Sequence, residues 1–403
     1  MAIIHPFKGW LPKPNRVDEI ASPPYDVMDS EEASRIAEDK PLNFLHVIRP
    51  EIDLPEGTPF NSDIVYQKGA SNLYNLLRSG EMVQDEKPAI YIYQLQTDSH
   101  TQTGVFTCAS VQDYDNDVIL KHELTRPDKE DDRTRHIQTQ QAHAEPVMLT
   151  YKDSEELSLL VEKMVLTDDP YIEHKGDDGV THKVWKTFKT AGFAEAFSKV
   201  KNLYIADGHH RCKAASRVSE NLRERDRSFP GEAEYDYFPV VLFPMSQMKI
   251  LPYNRVIKSV TKKQFKQLTS QLKLKETDQK SPKEKGFISL YFDGKWWHTE
   301  LPSAKGKDVV SKLDASRLQK SVLGPIFGIL NIRTDDNIGF VGGIRGTDEL
   351  EKLVDSEKVD LAISMYPTSI EELVDVSDQG ELMPPKSTWF EPKIKSGIII
   401  HTF

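Results

Sequence analysis

Apolar and polar positions alternate in short runs along much of the chain. Each such run predicts a strand whose side chains point to opposite faces of a sheet. Runs of this kind, rich in β-branched and aromatic residues, occur at Ala89–Leu95, Val105–Val111, Pro239–Phe243, Phe287–Phe292, Ile338–Ile344 and Leu361–Met365. Between them lie stretches with the period of about 3.6 residues that marks an amphipathic helix: Ser30–Asp39, Asp63–Arg78, Glu155–Val165, His210–Arg225, Thr261–Leu272 and Asp348–Asp355. In the third of these, Leu157, Leu160, Val161 and Met164 share one face, with Asp153 or Ser154 available as a cap. Interleaving of the two patterns predicts a mixed α/β (α+β) protein.

Two polar segments interrupt the patterning, Asp226–Tyr237 with Pro230 and Gly231 inside it, and the Lys-, Asp- and Ser-rich Lys275–Gly286. With soft cuts, the chain reads as an N-terminal α/β part (1–150), a middle part (151–245) and a C-terminal α/β part (246–403). No internal repeat or low-complexity tract is present.

Composition narrows the function classes. The 403 residues carry 52 Lys and Arg against 63 Asp and Glu, a net charge of −11, which disfavours a nucleic-acid partner. The lysines between Lys262 and Lys285 are expected to form a solvated helix and loop. No apolar run approaches the roughly 18 residues that span a bilayer, and the first ten residues lack the layout of a secretory signal. Only Cys108 and Cys212 are present, too few for a disulfide framework and without zinc-site spacing. The expectation is a cytoplasmic protein with small-molecule partners, for which a homodimer is allowed.

The richest chemistry lies at Leu203–Ala215, where an apolar strand runs into Asp207-Gly208-His209-His210-Arg211 and a helix with small residues follows. Free N–H groups and the helix dipole at such a turn favour a phosphate, Arg211 adds a two-pronged donor, and Gly208 clears space at the backbone. Asp207 reads as a Mg²⁺ ligand or as the orienting partner of a histidine, against the plainer reading of a helix cap. A second cluster, Lys121–His136, balances five basic and five acidic residues. If a helix starts after Pro127, Lys129 and Arg133 stand one turn apart as a phosphate clamp. Its plainer reading is a solvent-facing helix with weak ion pairs. The run Gly339–Gly346 reads as a twisted strand ending in a turn. Pro-Pro segments precede Tyr25-Asp26 and Lys386-Ser387-Thr388, whose polar groups could reach a ligand.

Together, Pro23-Pro24-Tyr25-Asp26-Val27, His122-Glu123 with Lys129-Glu130 and Asp132-Arg133, Asp207-Gly208-His209-His210-Arg211, and Met383-Pro384-Pro385-Lys386-Ser387-Thr388 resemble a bacterial family catalogued as domain of unknown function 1015. The Asp-Gly-His-His-Arg stretch is similar to the phosphate-binding turn of the ParB and sulfiredoxin superfamily, which includes free-serine kinases. That resemblance implies a ParB/sulfiredoxin-like core in the 151–245 part and phosphoryl chemistry. A sulfiredoxin would need a nucleophilic cysteine where His209 stands. A ParB-like nucleotide-binding regulator, for which neither a helix-turn-helix pattern nor positive charge is found, is the second reading.

The first reading is a kinase that phosphorylates a free hydroxyl amino acid, L-serine first, from ATP, ADP or pyrophosphate with Mg²⁺. In it Gly208 to Arg211, Lys129 and Arg133 bind phosphate, Asp207 holds the metal, and His209 and His210 meet the transferring group. Glu123 is the general base, with Asp26, Glu130 and Asp132 as competing carboxylates. Tyr25, Asp26, His122, Lys386, Ser387 and Thr388 would hold the acceptor. The aromatic residue usual after the Arg of the turn is here Cys212.

Overall fold

A computed structural model describes residues 1–227, 229–304 and 306–403; Ser228, in the polar segment Asp226–Tyr237, lies outside the described residues. The chain forms two compact units. Met1–Lys121, Thr125–Met248 and Pro392–Phe403 make the first, and His122–Leu124 with Lys249–Glu391 make the second. The expected cut at 150 lies at the end of strand Val147–Tyr151, which pairs with Leu203–Asp207 on one side and Tyr237–Pro244 on the other. Residues on both sides of 150 therefore share one sheet.

That sheet is mixed and, among the described residues, nine-stranded. Its order is Ile119–Leu120, Leu203–Asp207, Val147–Tyr151, Tyr237–Pro244, Thr101–Ser110, Ile90–Gln96, Thr181–Thr187 and Ile172–Lys175, with Ile4–His5 added beside Thr101–Ser110. Tyr237–Pro244 runs parallel to Val147–Tyr151, and Leu203–Asp207 runs parallel to Ile119–Leu120. The central strands supply the buried Ile90, Ile92, Val105, Leu149, Ile205, Val240 and Leu242 to a core that is closed by Leu157 and Val161 from one helix and Phe193 and Phe197 from another. Burial of this apolar surface is the main stabilising term, at roughly 25 cal/mol per Å².

The second unit is built on an antiparallel sheet ordered Lys275–Glu276, Lys295–Glu300, Phe287–Phe292, Leu361–Met365, Tyr253–Ile257 and Ile338–Gly342. Ile257, Ile288, Leu290, Leu361 and Ile363 pack there against Leu318, Val322 and Leu323. The glycine run forms the strand Ile338–Gly342 and then a 3₁₀ turn, Gly343–Arg345. The lysines at 262, 263, 266, 273, 275, 280, 283 and 285 are all exposed, as expected, though Lys275 lies on the strand Lys275–Glu276 and not in a helix or loop. No described helix is long and apolar enough to cross a membrane.

Candidate functional site

Strand Leu203–Asp207 is buried up to its last residue, and a bulge between Ile205 and Asp207 re-aims that end of it. Gly208 follows at φ +106° and is the N-cap residue of helix His209–Asp226. Gly208, and not Asp207, occupies the N-cap position. Cys212 and Ala215 seat this helix in the main core, while Ala214 and Val218 pack on Ile137 of helix Pro127–Gln140. A Cβ at Gly208 would stand 3.0 Å from Arg211 Nε and 3.1 Å from its Cζ, so at this positive φ glycine lets the guanidinium fold back against the turn without strain.

Asp207 meets two cations. Lys393 Nζ donates to its Oδ2 at 3.1 Å, and Arg211 Nη2 lies 3.6 Å from the same oxygen. Burial pushes the Asp207 carboxyl up, but Lys393 and Arg211 outweigh it and hold the group well below the usual carboxylate range. The group is ionised throughout the physiological range and cannot serve as an acid or a base there. Arg211 also donates to the carbonyl of Pro146. Burial disfavours the Arg211 charge, yet Asp207, Asp26 and Glu145 together raise its pKa.

Beside this turn lies a second arginine. Arg133 is buried, donates to Asp132 Oδ2 at 3.0 and 2.7 Å, lies 3.7 Å from Glu145 Oε2, and stacks its guanidinium 4.1 Å from the centre of the Tyr25 ring. Glu145 Oε1 accepts from the Tyr25 amide at 3.1 Å and from Ser396 Oγ at 3.0 Å. Burial raises the Glu145 pKa, and Arg211 and Arg133 oppose the rise. Burial likewise raises the Tyr25 hydroxyl, which stays protonated. A cavity of about 30 Å³ opens among Arg133, His136, Gln140, His143, Glu145 and Arg211, room for about two or three water molecules.

The first unit thus gathers Tyr25, Asp26, Arg133 and the turn Asp207–Arg211. Asp26 is exposed, but its charge acts on Tyr25, Glu145 and Arg211. Lys129 points elsewhere, its ammonium 5.6 Å from the centre of the Phe60 ring. His209 is buried and its charge acts on Asp207. His210 Nε2 accepts the Arg126 amide at 3.1 Å, which ties the helix start to the segment before Pro127. Among the competing carboxylates, Asp132 is engaged by Arg133 and by Tyr66 Oη at 3.0 Å, and Glu130 by Thr125 and Arg217. His122, Glu123, Lys386, Ser387 and Thr388 belong to the second unit, where His122 Nε2 lies 3.3 Å from Thr388 Oγ1 and the Met383 amide donates to the His122 carbonyl at 2.7 Å.

Sequence reasoning missed Glu145, Ser396 and Lys393. Glu145 had a signal, a lone carboxylate within the otherwise apolar run around Val147–Tyr151. Lys393 had none, since it reaches Asp207 across 186 positions. The surroundings of Asp207 do not fit a Mg²⁺ ligand: its carboxylate is held by two cations, and no group of three or more His, Cys, Asp or Glu side chains among the described residues is arranged to hold a metal.

A family described as "Protein of unknown function (DUF1015)" matches residues 4–316. No curated protein sequence matches the chain. Among solved structures, a free serine kinase in complex with AMP is similar at 12% identity and a TM-score of 0.38, covering 71% of this chain and 86% of its own. A conserved hypothetical protein from Pyrococcus furiosus aligns at 14% and 0.37, covering 73% and 93%. SbnI with a C-terminal truncation, from Staphylococcus aureus, aligns at 14% and 0.37, covering 72% and 85%. Likeness at this level carries no functional argument, which rests on the residues.

Proposed function

The chain belongs to the DUF1015 family, and we propose that it is a small-molecule kinase that transfers a phosphoryl group from a nucleotide or pyrophosphate to a free hydroxyl amino acid, L-serine first. The observation that carries this reading is the start of the long helix directly after the left-handed Gly208, with the Arg211 guanidinium folded toward it and Arg133 buried beside Glu145 in the same unit. Such a start offers N–H donors and a positive dipole end to phosphate oxygens, and the guanidinium adds a planar fork. Donors fixed in advance stabilise the charge that shifts onto the leaving phosphate as the bond to phosphorus breaks.

In the reaction, the acceptor hydroxyl oxygen bonds to the terminal phosphorus, the bond to the leaving group breaks, and the hydroxyl proton passes to a carboxylate. Glu123 is the base proposed from the sequence, and Asp26 is the alternative in the first unit. Asp207 orients Lys393 and Arg211 instead of moving a proton. The assignment of the turn to a ParB/sulfiredoxin-like core belongs to this proposal, as do the acceptor-binding roles of His122, Lys386, Ser387 and Thr388. Mg²⁺ enters only with the donor phosphates, and no step is assigned to it.

A regulatory protein that binds nucleotide without turnover is the second reading, favoured by the engagement of Asp207 with two cations. Isothermal titration with ATP, ADP and pyrophosphate tests the cradle common to both. Arg211→Lys keeps the charge and loses the fork, and is expected to weaken the preferred ligand by about tenfold or more. Equal affinity in the variant and the parent would contradict the cradle.

A further inference from the structure

The buried arginines of the first unit, Arg133 and Arg211, rest on carboxylates. Arg255 in the second unit does not. It sits in the middle of strand Tyr253–Ile257, paired on either side with Phe340 and Ile363, and is only 3% exposed. Its guanidinium donates to the carbonyls of Tyr253 and, at 3.1 Å, of Lys386, and lies 5.7 Å from the centre of the Phe340 ring. Among the described residues no carboxylate lies within 4.0 Å of it. Burial accordingly lowers its pKa to about 10, with only the Tyr253 hydroxyl acting the other way.

A guanidinium carries five N–H groups, and two of these are engaged by carbonyl oxygens. Burying a charge without a counter-charge costs several kcal/mol, and a methionine or leucine would fill the same space without that cost. The charge itself therefore calls for a partner. Next to it, Lys386 stands at φ +59°, a left-handed conformation that few non-glycine residues adopt. This conformation goes with a carbonyl turned to Arg255 and an ammonium 5.4 Å from the centre of the Tyr253 ring. The loop that presents Lys386 is pinned by Ser387 Oγ donating to the Pro384 carbonyl at 2.6 Å and Thr368 Oγ1 donating to the Ser387 carbonyl at 2.8 Å. Lys386 is exposed, so this side of Arg255 is one exposed residue away from solvent.

We propose that the second unit carries an oxyanion-binding site centred on Arg255, with Lys386 at its rim, for a small molecule bearing a carboxylate or a phosphate. Both groups present the pair of coplanar oxygens that a guanidinium fork recognises. Arg255 takes no part in the kinase reading, which uses Lys386 alone of these two residues, so the site is tested on variants of Arg255 and not of Lys386.

The test is calorimetric titration of the full chain with sodium acetate and, separately, inorganic phosphate, at ionic strength held constant with chloride. Parent, Arg211→Lys, Arg255→Lys and Arg255→Met are compared. A saturable site is expected in the parent and in Arg211→Lys. It weakens by about tenfold or more in Arg255→Lys and disappears in Arg255→Met. Acetate saturation lost in Arg255→Met assigns a carboxylate-sized site, and phosphate saturation lost in Arg255→Met but kept in Arg211→Lys assigns a phosphate site; phosphate saturation kept in Arg255→Met, with no acetate saturation in the parent, belongs to the turn at Asp207 and overturns the proposal. The absence of any saturable heat in the parent, or equal affinity in the parent and Arg255→Lys, overturns the proposal and leaves a structural arginine held by carbonyls.

Discussion

At Gly208 the backbone takes φ +106°, and the Arg211 guanidinium comes within 3.0 Å of where a Cβ would stand. Both the dihedral and the contact argue against any side chain. Gly208→Ala is expected to cost roughly 1 kcal/mol of stability through the dihedral. It is also expected to weaken pyrophosphate binding about tenfold by pushing the fork away from the helix start. Titration beside a urea melt separates the two effects, and loss of stability with unchanged affinity would remove Gly208 from the cradle. This turn was legible in the sequence because strand, glycine and helix start are consecutive. Glu145 left only the signal of a carboxylate beside an apolar strand, and Lys393 left none, because it is brought in by the returning segment Pro392–Phe403. Of the readings of Asp207, the plainer one of a helix cap gives way to Gly208 at the N-cap position, and its carboxylate meets Lys393 instead.

At the scale of elements, the clearest patterns gave the nearest boundaries. Asp63–Arg78, Phe287–Phe292 and Leu361–Met365 form as expected, and the expected helix from Glu155 runs to Thr167, with Ser154 Oγ accepting the Leu157 amide. Two of the missed strands have compositions that are hardly strand-like, whereas Val147–Tyr151, apolar and buried throughout, went unread despite its pattern. Ile172–Lys175 buries alternate residues while exposing Glu173 and Lys175, and Thr181–Thr187 carries Lys183 and Lys186 beside the buried His182. Their pairing is set by neighbours in the sheet more than by their own residues. Helix Ile370–Asp378 carried a capping signal that went unread, the reciprocal hydrogen bonds of Ser369 and Glu372. Helix Pro127–Gln140 shows both expectations for its charges at once. Lys129 and Asp131 face outward, while Asp132, Arg133 and His136 are buried in the site.

At the scale of the whole molecule, buried histidines set the response to acid. Burial holds His136, His143, His182 and His401 below the ordinary imidazole value, His182 at about 3 with the nearby Lys395 and His174 lowering it further and Asp178 opposing. A folded-state pKa below the unfolded value means that the unfolded chain takes up the proton first. Stability is then full above about pH 6.5 and is lost progressively as the pH falls toward the folded values. His46, raised by Asp53, acts in the opposite sense as the pH rises through its folded value. The thermal midpoint is therefore expected to fall between pH 7 and pH 5, and His182→Gln to make that fall shallower. A midpoint that is flat or rises over this range would contradict the burial of neutral imidazoles. The central claim is phosphoryl transfer at the Asp207–Arg211 turn. Its most direct test is phosphorus NMR of the full chain with Mg²⁺, L-serine and ATP, ADP or pyrophosphate in separate tubes, with Asp207→Ala as the control. Appearance of O-phosphoserine in at least one tube, lost in the variant, is the predicted result. Donor binding that Asp207→Ala abolishes, with no product in any tube, would contradict the kinase reading and leave a nucleotide-binding regulator.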